Sequence, residues 1–353
     1  MTAAPAAGAP AGAAEGEAVS DRDAYRATLI RLARLDSRIW CLDSDTGGLE
    51  PTFGAALPEQ YADLGIAEAN LMTVGAALAR TGLLPFVNTM AAFASTRALE
   101  QVRVDIAYHN LPVRIVGTHS GFSAAHLGPT HHGQHDLAAM RTLPNMTVLA
   151  PADPAETARM IEAVAYLPGP AYIRLGHHPI GPVYRGEREL VVGRAVRLRP
   201  GGDVTIVAAG SYPLLFALAA AEELAAAGVE AAVLNMHTIK PLDVAALVAA
   251  AEHTRGIVTV EDHSVLGGLG GAVAEALAEH QPARVCRVGI RDAFCALPGS
   301  HRAQLAAAGV STERVVAAAR AVLGVPPTTR AGRRAGVPVT GLPAGNHHRR
   351  RIP

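Results

Sequence analysis

Short apolar stretches alternate with longer helical patterns along most of this chain. The stretches have the length of strands, and the segments between them repeat apolar residues at the three- and four-residue spacing of helices. The predicted strands span residues 39–42, 84–88, 113–116, 146–149 and 171–175, and then 204–209, 230–235, 256–261 and 285–290. Because strands that alternate with helices form parallel sheets covered on both faces, the sequence predicts an α/β fold.

A Pro- and Gly-rich passage of mixed charge separates two such sets of strands and helices. A chain of 353 residues is long enough for two domains. We therefore predict two consecutive open parallel-sheet domains at residues 21–180 and 194–325, with a linker at 181–193. Residues 1–20 are predicted to be a disordered leader, and the Arg- and His-rich residues 326–353 a disordered basic tail.

Charge and composition exclude several classes of partner. The formal net charge is zero and aromatic residues make up 4% of the chain, which argues against nucleic acid or a membrane surface as partner. No apolar stretch has the length of a membrane span, and the first twenty residues lack the features of a secretory signal. Three scattered cysteines fit a reducing compartment, so we expect a cytoplasmic protein.

Glu68 lies near the start of an apolar helical pattern at residues 66–80. No basic residue occurs within ten positions on either side of it. Desolvation raises the pKa of a buried carboxyl, which can then hold a proton at neutral pH and share it with a ring nitrogen. The alternative is a helix-start glutamate near solvent that is stabilised by the helix dipole.

The loop at residues 117–136 contains five histidines, which are His119, His126, His131, His132 and His135. Open parallel sheets bind ligands at the carboxyl ends of their strands, so the polar loops at 43–48, 117–136 and 261–269 are candidate sites. Proton transfer or polar substrate binding is the favoured interpretation of the histidines. A metal site and surface histidines without a function are the alternatives, and no metal-ligand spacing supports the first.

Two further features allow both a structural and a functional interpretation. Phe93, in a chain poor in aromatics, either packs in the core or presents a flat face to a heteroaromatic ring. The glycines at 267–271 follow a predicted strand and open a helix, but Val273 stands where a dinucleotide-binding loop needs its third glycine. We therefore expect these glycines to let the helix dock closely on the sheet.

Taken in order, these segments resemble the carboxyl-terminal half of transketolase, and most of all the second subunit of transketolases divided between two chains. The matching stretches lie at 65–70, 85–93, 128–132, 143–148, 238–243 and 260–264, within a likeness over about residues 21–325. The resemblance implies a pyrimidine-binding domain followed by a transketolase C-terminal domain. It also implies thiamine diphosphate (ThDP) as cofactor and transfer of a two-carbon ketol unit from a ketose to an aldehyde acceptor.

The resemblance implies roles for four residues at the cofactor. Glu68 would be the carboxylic acid that hydrogen-bonds the aminopyrimidine ring nitrogen, and Phe93 would stack on that ring. Asp45 would line the cofactor site, and His131 would contact the donor or the two-carbon intermediate. Glu68 and His131 are thus the expected catalytic residues, and no residue of this chain is expected to bind metal.

A missing motif implies a second chain. This sequence lacks the Gly-Asp-Gly motif, followed further on by Asn, that carries Mg²⁺ and the diphosphate in this family. The resemblance therefore implies a separate amino-terminal subunit that holds both, with the ThDP site between the two chains. Because pyrimidine-binding domains of this family also pair with each other, we expect an α2β2 heterotetramer.

Departures from the family pattern concern the substrate. His177 stands where the family has an Arg for sugar phosphate, whereas Arg22 and His119 keep two expected phosphate contacts. An Asp that recognises an acceptor hydroxyl is replaced by Leu127 or displaced to His126. A histidine is a weaker and pH-dependent phosphate ligand, so we expect an atypical acceptor, unphosphorylated or joined to a larger molecule. The expected substrate-binding residues are Arg22, His119, His126, His131 and His177.

Two alternatives to a ketol-transferring subunit stay open. One is the beta subunit of a 2-oxo acid dehydrogenase or a half of a deoxyxylulose-phosphate synthase-like enzyme, against which the sequence at 128–132 favours transketolase. The other is a non-catalytic partner that retains the fold, and the presence of Glu68, Phe93 and His131 argues against it.

Overall fold

The computed structural model describes residues 19–46, 48–183 and 190–324. The strands are β1 Val19–Ser20, β2 Ile39–Asp43, β3 Tyr61–Asp63, β4 Leu84–Met90, β5 Arg114–Thr118, β6 Thr147–Leu149, β7 Ala171–Arg174, β8 Pro179–Ile180, β9 Val196–Arg199, β10 Val204–Ala209, β11 Ala231–Asn235, β12 Thr238–Lys240, β13 Ile257–Ser264 and β14 Val285–Ile290. The α-helices are α1 Asp21–Leu35, α2 Glu68–Arg80, α3 Ala91–Ala94, α4 Leu99–Gln101, α5 Asp136–Thr142, α6 Pro154–Val164, α7 Ser211–Ala226, α8 Val244–His253, α9 Leu269–His280, α10 His301–Ala307 and α11 Thr312–Leu323. Two π-helical segments, Glu50–Gly54 and Val102–Ala107, and three short 3₁₀ segments complete the order.

The strands form two larger sheets, as the alternating pattern predicts. The first sheet has the order β12-β6-β7-β5-β4-β2-β3 and is parallel from β6 to β3. The second has the order β14-β13-β10-β11-β9 and is parallel from β14 to β11. Each sheet adds one antiparallel strand at an edge, β12 and β9, which the expectation of purely parallel sheets missed.

The parts of the chain outside the sheets bear on three sequence predictions. The expected basic tail, most of the expected leader and residues 184–189 of the expected linker lie outside the described residues. The last two leader residues, in β1, pair instead with β8. The Ser20 hydroxyl accepts a hydrogen bond from the Asp23 amide at 3.1 Å and so caps α1. In the described part of the chain no helix is long and apolar enough to cross a bilayer.

The two domains share the first sheet, because β12 follows the second domain's β11 along the chain and pairs with β6 of the first domain. At the end of β12, the Lys240 ammonium donates to the carbonyls of Arg141 at 3.2 Å and Leu143 at 2.5 Å. A three-residue strand that ends before Pro241 carries too little periodicity to be recognised from sequence. The contact fixes the second domain against the first.

The sequence pattern at residues 93–108 predicts one long helix, but the structure breaks it into α3, a turn, α4 and the second π-helical segment. The hydroxyls of Ser95 and Thr96 donate to the carbonyls of Ala91 at 2.7 Å and Ala92 at 2.6 Å. Such side-chain bonds to nearby carbonyls compete with helical hydrogen bonds, and here the helix stops at them. The turn that results carries Arg97.

The glycines at 267–271 have the structural role that the sequence favours. A Cβ atom at Gly268 would lie 2.1 Å from Glu261 Oε2, and one at Gly270 would lie 2.7 Å from Thr259 Oγ1. The first two amide groups of α9 donate to the Glu261 carboxylate at 2.7 and 2.9 Å. Close docking of α9 on β13 therefore requires these small residues. β13 itself continues to Ser264, beyond the predicted end of the strand.

A buried ion pair joins the histidine-rich loop to both domains. Arg174 Nε donates to Asp136 Oδ2 at 2.9 Å, and the Tyr172 hydroxyl donates to the same oxygen at 2.8 Å. The guanidinium also donates to the carbonyls of Asp262 at 2.6 Å and Gly133 at 3.1 Å. Burial alone would raise the pKa of Asp136. The charges of Arg174 and His263 and the hydrogen bonds from Arg174 and Tyr172 together outweigh it, so the pKa lies below its usual value.

We predict that Asp136→Ala destabilises the chain strongly, by about 3–5 kcal/mol, because it leaves the buried charge of Arg174 without its partner. Glu100→Ala, which removes an exposed ion pair with Arg103 at 2.8 Å, is the matched control and should change little. Urea unfolding of each variant measures the difference. Equal losses in the two variants would contradict the importance of the buried pair.

Candidate active site

A cavity of about 330 Å³ opens where β2 and β4 end and α2 and α3 begin. Four residues singled out from the sequence, Asp45, Glu68, Phe93 and His131, lie in its wall. The other lining residues are Ser44, Thr46, Ile66, Thr89, Met90, Arg97 and Thr130. Because β2 and β4 are parallel neighbours, their carboxyl ends bring loops that are distant in sequence to one place.

Glu68 is the first residue of α2 and its side chain is 2% exposed, which confirms the predicted buried carboxyl. The alternative of a glutamate near solvent is therefore wrong. The sequence has no basic residue within ten positions of Glu68, but the fold brings one to it. Arg97 Nη1 donates to both Glu68 oxygens, at 2.9 and 2.8 Å. Arg97 is 29 residues away in sequence, so proximity along the chain gave no sign of this ion pair.

The Phe93 ring forms part of the cavity wall and is not enclosed in a hydrophobic core. The Arg97 guanidinium carbon lies 4.4 Å from the centre of the ring, and the His131 ring meets it nearly edge-on at 5.3 Å. His131 Nδ1 is 2.9 Å from the Thr130 hydroxyl, which helps to fix the imidazole. This arrangement supports the interpretation of Phe93 as a stacking surface.

Polar groups of the wall fit a flat, nitrogen-containing ring. The Thr89 hydroxyl is fully buried in the wall and has no hydrogen-bond partner in the described structure. Asp45 adopts φ 57° and its amide donates to Asp63 Oδ1 at 3.2 Å, which holds the turn after β2 in place. An aminopyrimidine ring would meet a carboxyl and an aromatic face here.

The remaining predicted substrate-binding residues form a second group, here named the basic cluster: Arg22, His119, His126 and His177. Arg22 Nη1 lies 2.7 Å from His177 Nδ1. The His119 ring stacks on the His177 ring at 4.2 Å, and the His126 ring lies 6.3 Å from it. Arg22 also donates to the Thr46 carbonyl at 3.4 Å, and Thr46 lines the cavity. This bond connects the basic cluster to the wall of the cavity.

Burial makes two imidazoles of the basic cluster, those of His119 and His177, weak bases. Burial, followed by the nearby His177 and Arg22, lowers the pKa of His119 to about 3. Burial, followed by Arg22, lowers the pKa of His177 to about 4. The pKa of Arg22 is lowered by burial only to about 10, so it stays charged at neutral pH. At neutral pH the cluster therefore combines a charged guanidinium with two neutral imidazoles.

The sequence and the architecture match those of known proteins. The family model of the transketolase pyrimidine binding domain matches residues 17–179, and that of the transketolase C-terminal domain matches residues 193–315. The chain is 42% identical to the 6-deoxy-6-sulfo-D-fructose transketolase subunit SqwH of Clostridium sp., over 77% of this chain and 85% of that one. This chain belongs to the transketolase family. It is also 39% identical to a subunit of the apulose-4-phosphate transketolase of Phocaeicola vulgatus, over 80% of this chain and 91% of that one.

A solved structure also supports the assignment of this chain as the carboxyl-terminal subunit of a split transketolase. A split-gene transketolase, described as an inactive β4 tetramer, superposes with a TM-score of 0.81 at 41% identity, over 87% of this chain and 99% of that chain. Several 1-deoxy-D-xylulose-5-phosphate synthases also match, but this transketolase-family chain spans less than half of their length, 43% in Thioalkalivibrio sulfidiphilus. That alternative is therefore not favoured.

Four of the five histidines of the loop lie in different surroundings in this transketolase-family subunit. His119 and His126 join the basic cluster, and His131 lines the cavity. His132 is buried against the Phe122 ring at 4.7 Å, away from both. No group of three or more His, Cys, Asp or Glu side chains in the described ranges is arranged to hold a metal ion.

The third candidate loop, at residues 261–269, does not reach the cavity. Asp262 Oδ2 is 2.6 Å from His301 Nε2, and Oδ1 accepts from the Phe122 amide at 3.3 Å. These contacts join the second domain to the histidine-rich loop, so its polar residues are used within the fold. Sequence reasoning missed Arg97 and Thr89 in the cavity. A basic residue four positions after Phe93, on the same short helix and turn, was the available signal for Arg97.

We predict that the free energy of unfolding falls as the pH is lowered from about 7 to about 5. The folded-state pKa of His119 lies below the ordinary value of 6.5, so the unfolded chain takes up protons first and acid favours unfolding. His119→Asn should make this dependence shallower, and the exposed His280→Asn should leave it unchanged. Urea unfolding at the two pH values provides the measurement, and an unaltered slope in His119→Asn would contradict the assignment.

Proposed function

We propose that this chain is the carboxyl-terminal subunit of a ThDP-dependent transketolase-like enzyme. The enzyme transfers a two-carbon ketol unit from a ketose donor to an aldehyde acceptor. The observation that carries the proposal is the convergence of Glu68, Phe93 and His131 on one cavity, whose wall is bonded to Arg22 of the basic cluster through Thr46. A non-catalytic partner has no need to keep these groups together.

The residues of this chain divide the work as follows. ThDP, when bound, supplies an electron sink for cleavage and formation of carbon–carbon bonds. Glu68 holds a proton at the ring nitrogen of the aminopyrimidine, and Phe93 offers that ring a flat face. Asp45 lines the same site. His131, at the cavity wall, orients the donor.

A separate amino-terminal subunit completes the proposed enzyme. It supplies the Gly-Asp-Gly motif, which this sequence lacks. That motif holds Mg²⁺ and, with it, the diphosphate. The relatives from Clostridium sp. and Phocaeicola vulgatus are both subunits, which supports a two-chain enzyme. We propose an α2β2 assembly in the cytoplasm that acts on small sugars or aldehydes.

The basic cluster favours an atypical acceptor. Arg22 supplies a fixed charge, whereas the neutral imidazoles of His119 and His177 offer single hydrogen bonds and little attraction to a dianionic phosphate. His177 also meets Arg22 through Nδ1, which engages part of that guanidinium. We therefore propose an acceptor that is unphosphorylated at this end or joined there to a larger group.

We predict that Glu68→Ala lowers ketol transfer by the reconstituted pair at least about 100-fold, because the ring nitrogen loses its acid. Glu68→Gln, which keeps the shape but not the carboxyl, should be similarly impaired, and Glu100→Ala should be fully active. Thermal unfolding and co-purification with the amino-terminal subunit show whether folding and assembly persist. Full activity of Glu68→Ala would refute the role, and decarboxylation of pyruvate in place of two-carbon transfer would favour the dehydrogenase or synthase alternative.

We predict that the pair turns over plain or conjugated aldoses at least as well as phosphorylated ones. His177→Arg should restore a charged phosphate ligand and lower KM for a phosphorylated aldose about tenfold, with little effect on a plain one. Steady-state kinetics with both acceptor classes measure the change. A strong preference of the unmodified pair for pentose phosphates would end the idea of an atypical acceptor.

A further inference from the structure

We propose that the Arg97 side chain occupies the position of the aminopyrimidine ring while the cofactor is absent. Arg97 then leaves Glu68 and Phe93 when the cofactor enters. The inference rests on the proposed function and adds a residue that regulates cofactor binding. Nothing in the sequence resemblance assigns Arg97 a role.

The guanidinium of Arg97 uses the two groups that the ring is proposed to use. It hydrogen-bonds both oxygens of Glu68, at 2.9 and 2.8 Å, and its carbon lies 4.4 Å from the centre of the Phe93 ring. A guanidinium is flat, carries several N–H donors and stacks on aromatic faces, as an aminopyrimidine does. A ring that stacked on this face of Phe93 and bonded Glu68 would overlap with it.

Arg97 lies at the rim of the cavity, whereas Glu68 is enclosed in its wall. The Arg97 side chain is 49% exposed and lies on the turn between α3 and α4. Glu68, at 2% exposure, is held at the start of α2. A long side chain at the rim can swing into water, where its charge is well solvated.

The exchange solves a problem for the subunit on its own. A buried carboxylate without a partner is costly, so Glu68 needs a cation or donor before the cofactor arrives. Arg97 provides one, and the incoming ring then takes its place. ThDP binds only those molecules in which Arg97 has left Glu68. The apparent affinity for ThDP is therefore lower than the intrinsic affinity when Arg97 is in position in a large fraction of the molecules.

The test compares reconstituted pairs that contain wild type, Arg97→Met, Arg97→Lys or the control Arg103→Met, all with Mg²⁺ in excess. Arg103 is an exposed arginine that pairs with Glu100 and does not line the cavity. We expect Arg97→Met to tighten ThDP binding about tenfold in calorimetric titration, which corresponds to about 1.4 kcal/mol. Arg97→Lys, which keeps the charge but not the flat fork, should fall between, and Arg103→Met should match wild type.

A second measurement concerns the subunit alone. Without cofactor, Arg97→Met should lower the melting temperature because Glu68 loses its partner, and Arg103→Met should not. A merely structural arginine would lower stability without improving affinity, so unchanged or weaker ThDP binding by Arg97→Met overturns the proposal. If the wild-type pair and every variant fail to bind ThDP, the proposed function itself is wrong.

Discussion

The buried guanidinium of Arg174 holds the candidate site together. Its ion pair with Asp136 fixes the end of the histidine-rich loop, and its bond to the Gly133 carbonyl fixes the backbone two residues after His131. Its bond to the Asp262 carbonyl ties the same loop to β13 of the second domain. The second domain thus contributes to the site indirectly, because it braces the loop that carries His131.

The sequence predicted the fold well where periodicity is strong. Nearly every buried parallel strand was anticipated, since a short apolar stretch between two helical patterns is typical of a buried strand. The short edge strands β9 and β12 and the end of the helical pattern after Phe93 were not anticipated. The edge strands depend on contacts with strands that are distant in sequence. The helix ends because the hydroxyls of Ser95 and Thr96 bond nearby carbonyls, which outweighs the helical pattern.

The sequence predicted which residues line the cavity better than it predicted their ion pairs and pKa values. Family resemblance and the strand-end rule brought Glu68, Phe93 and His131 to one cavity, as the structure shows. The residues next to Glu68 in the sequence do not indicate that Arg97 is its partner. Arg97 lies on the turn between α3 and α4, and this turn forms only because the helical pattern is interrupted there. The low pKa values of His119 and His177 likewise arise from burial among residues of separate segments.

Several groups of this site carry no net charge. Glu68 is paired with Arg97, and the imidazoles of His119 and His177 are neutral at physiological pH. These groups offer a diphosphate little electrostatic attraction, whereas Arg22 keeps its charge. The low charge of these groups and the missing Gly-Asp-Gly motif both support the proposal of a second polypeptide that holds the diphosphate and Mg²⁺.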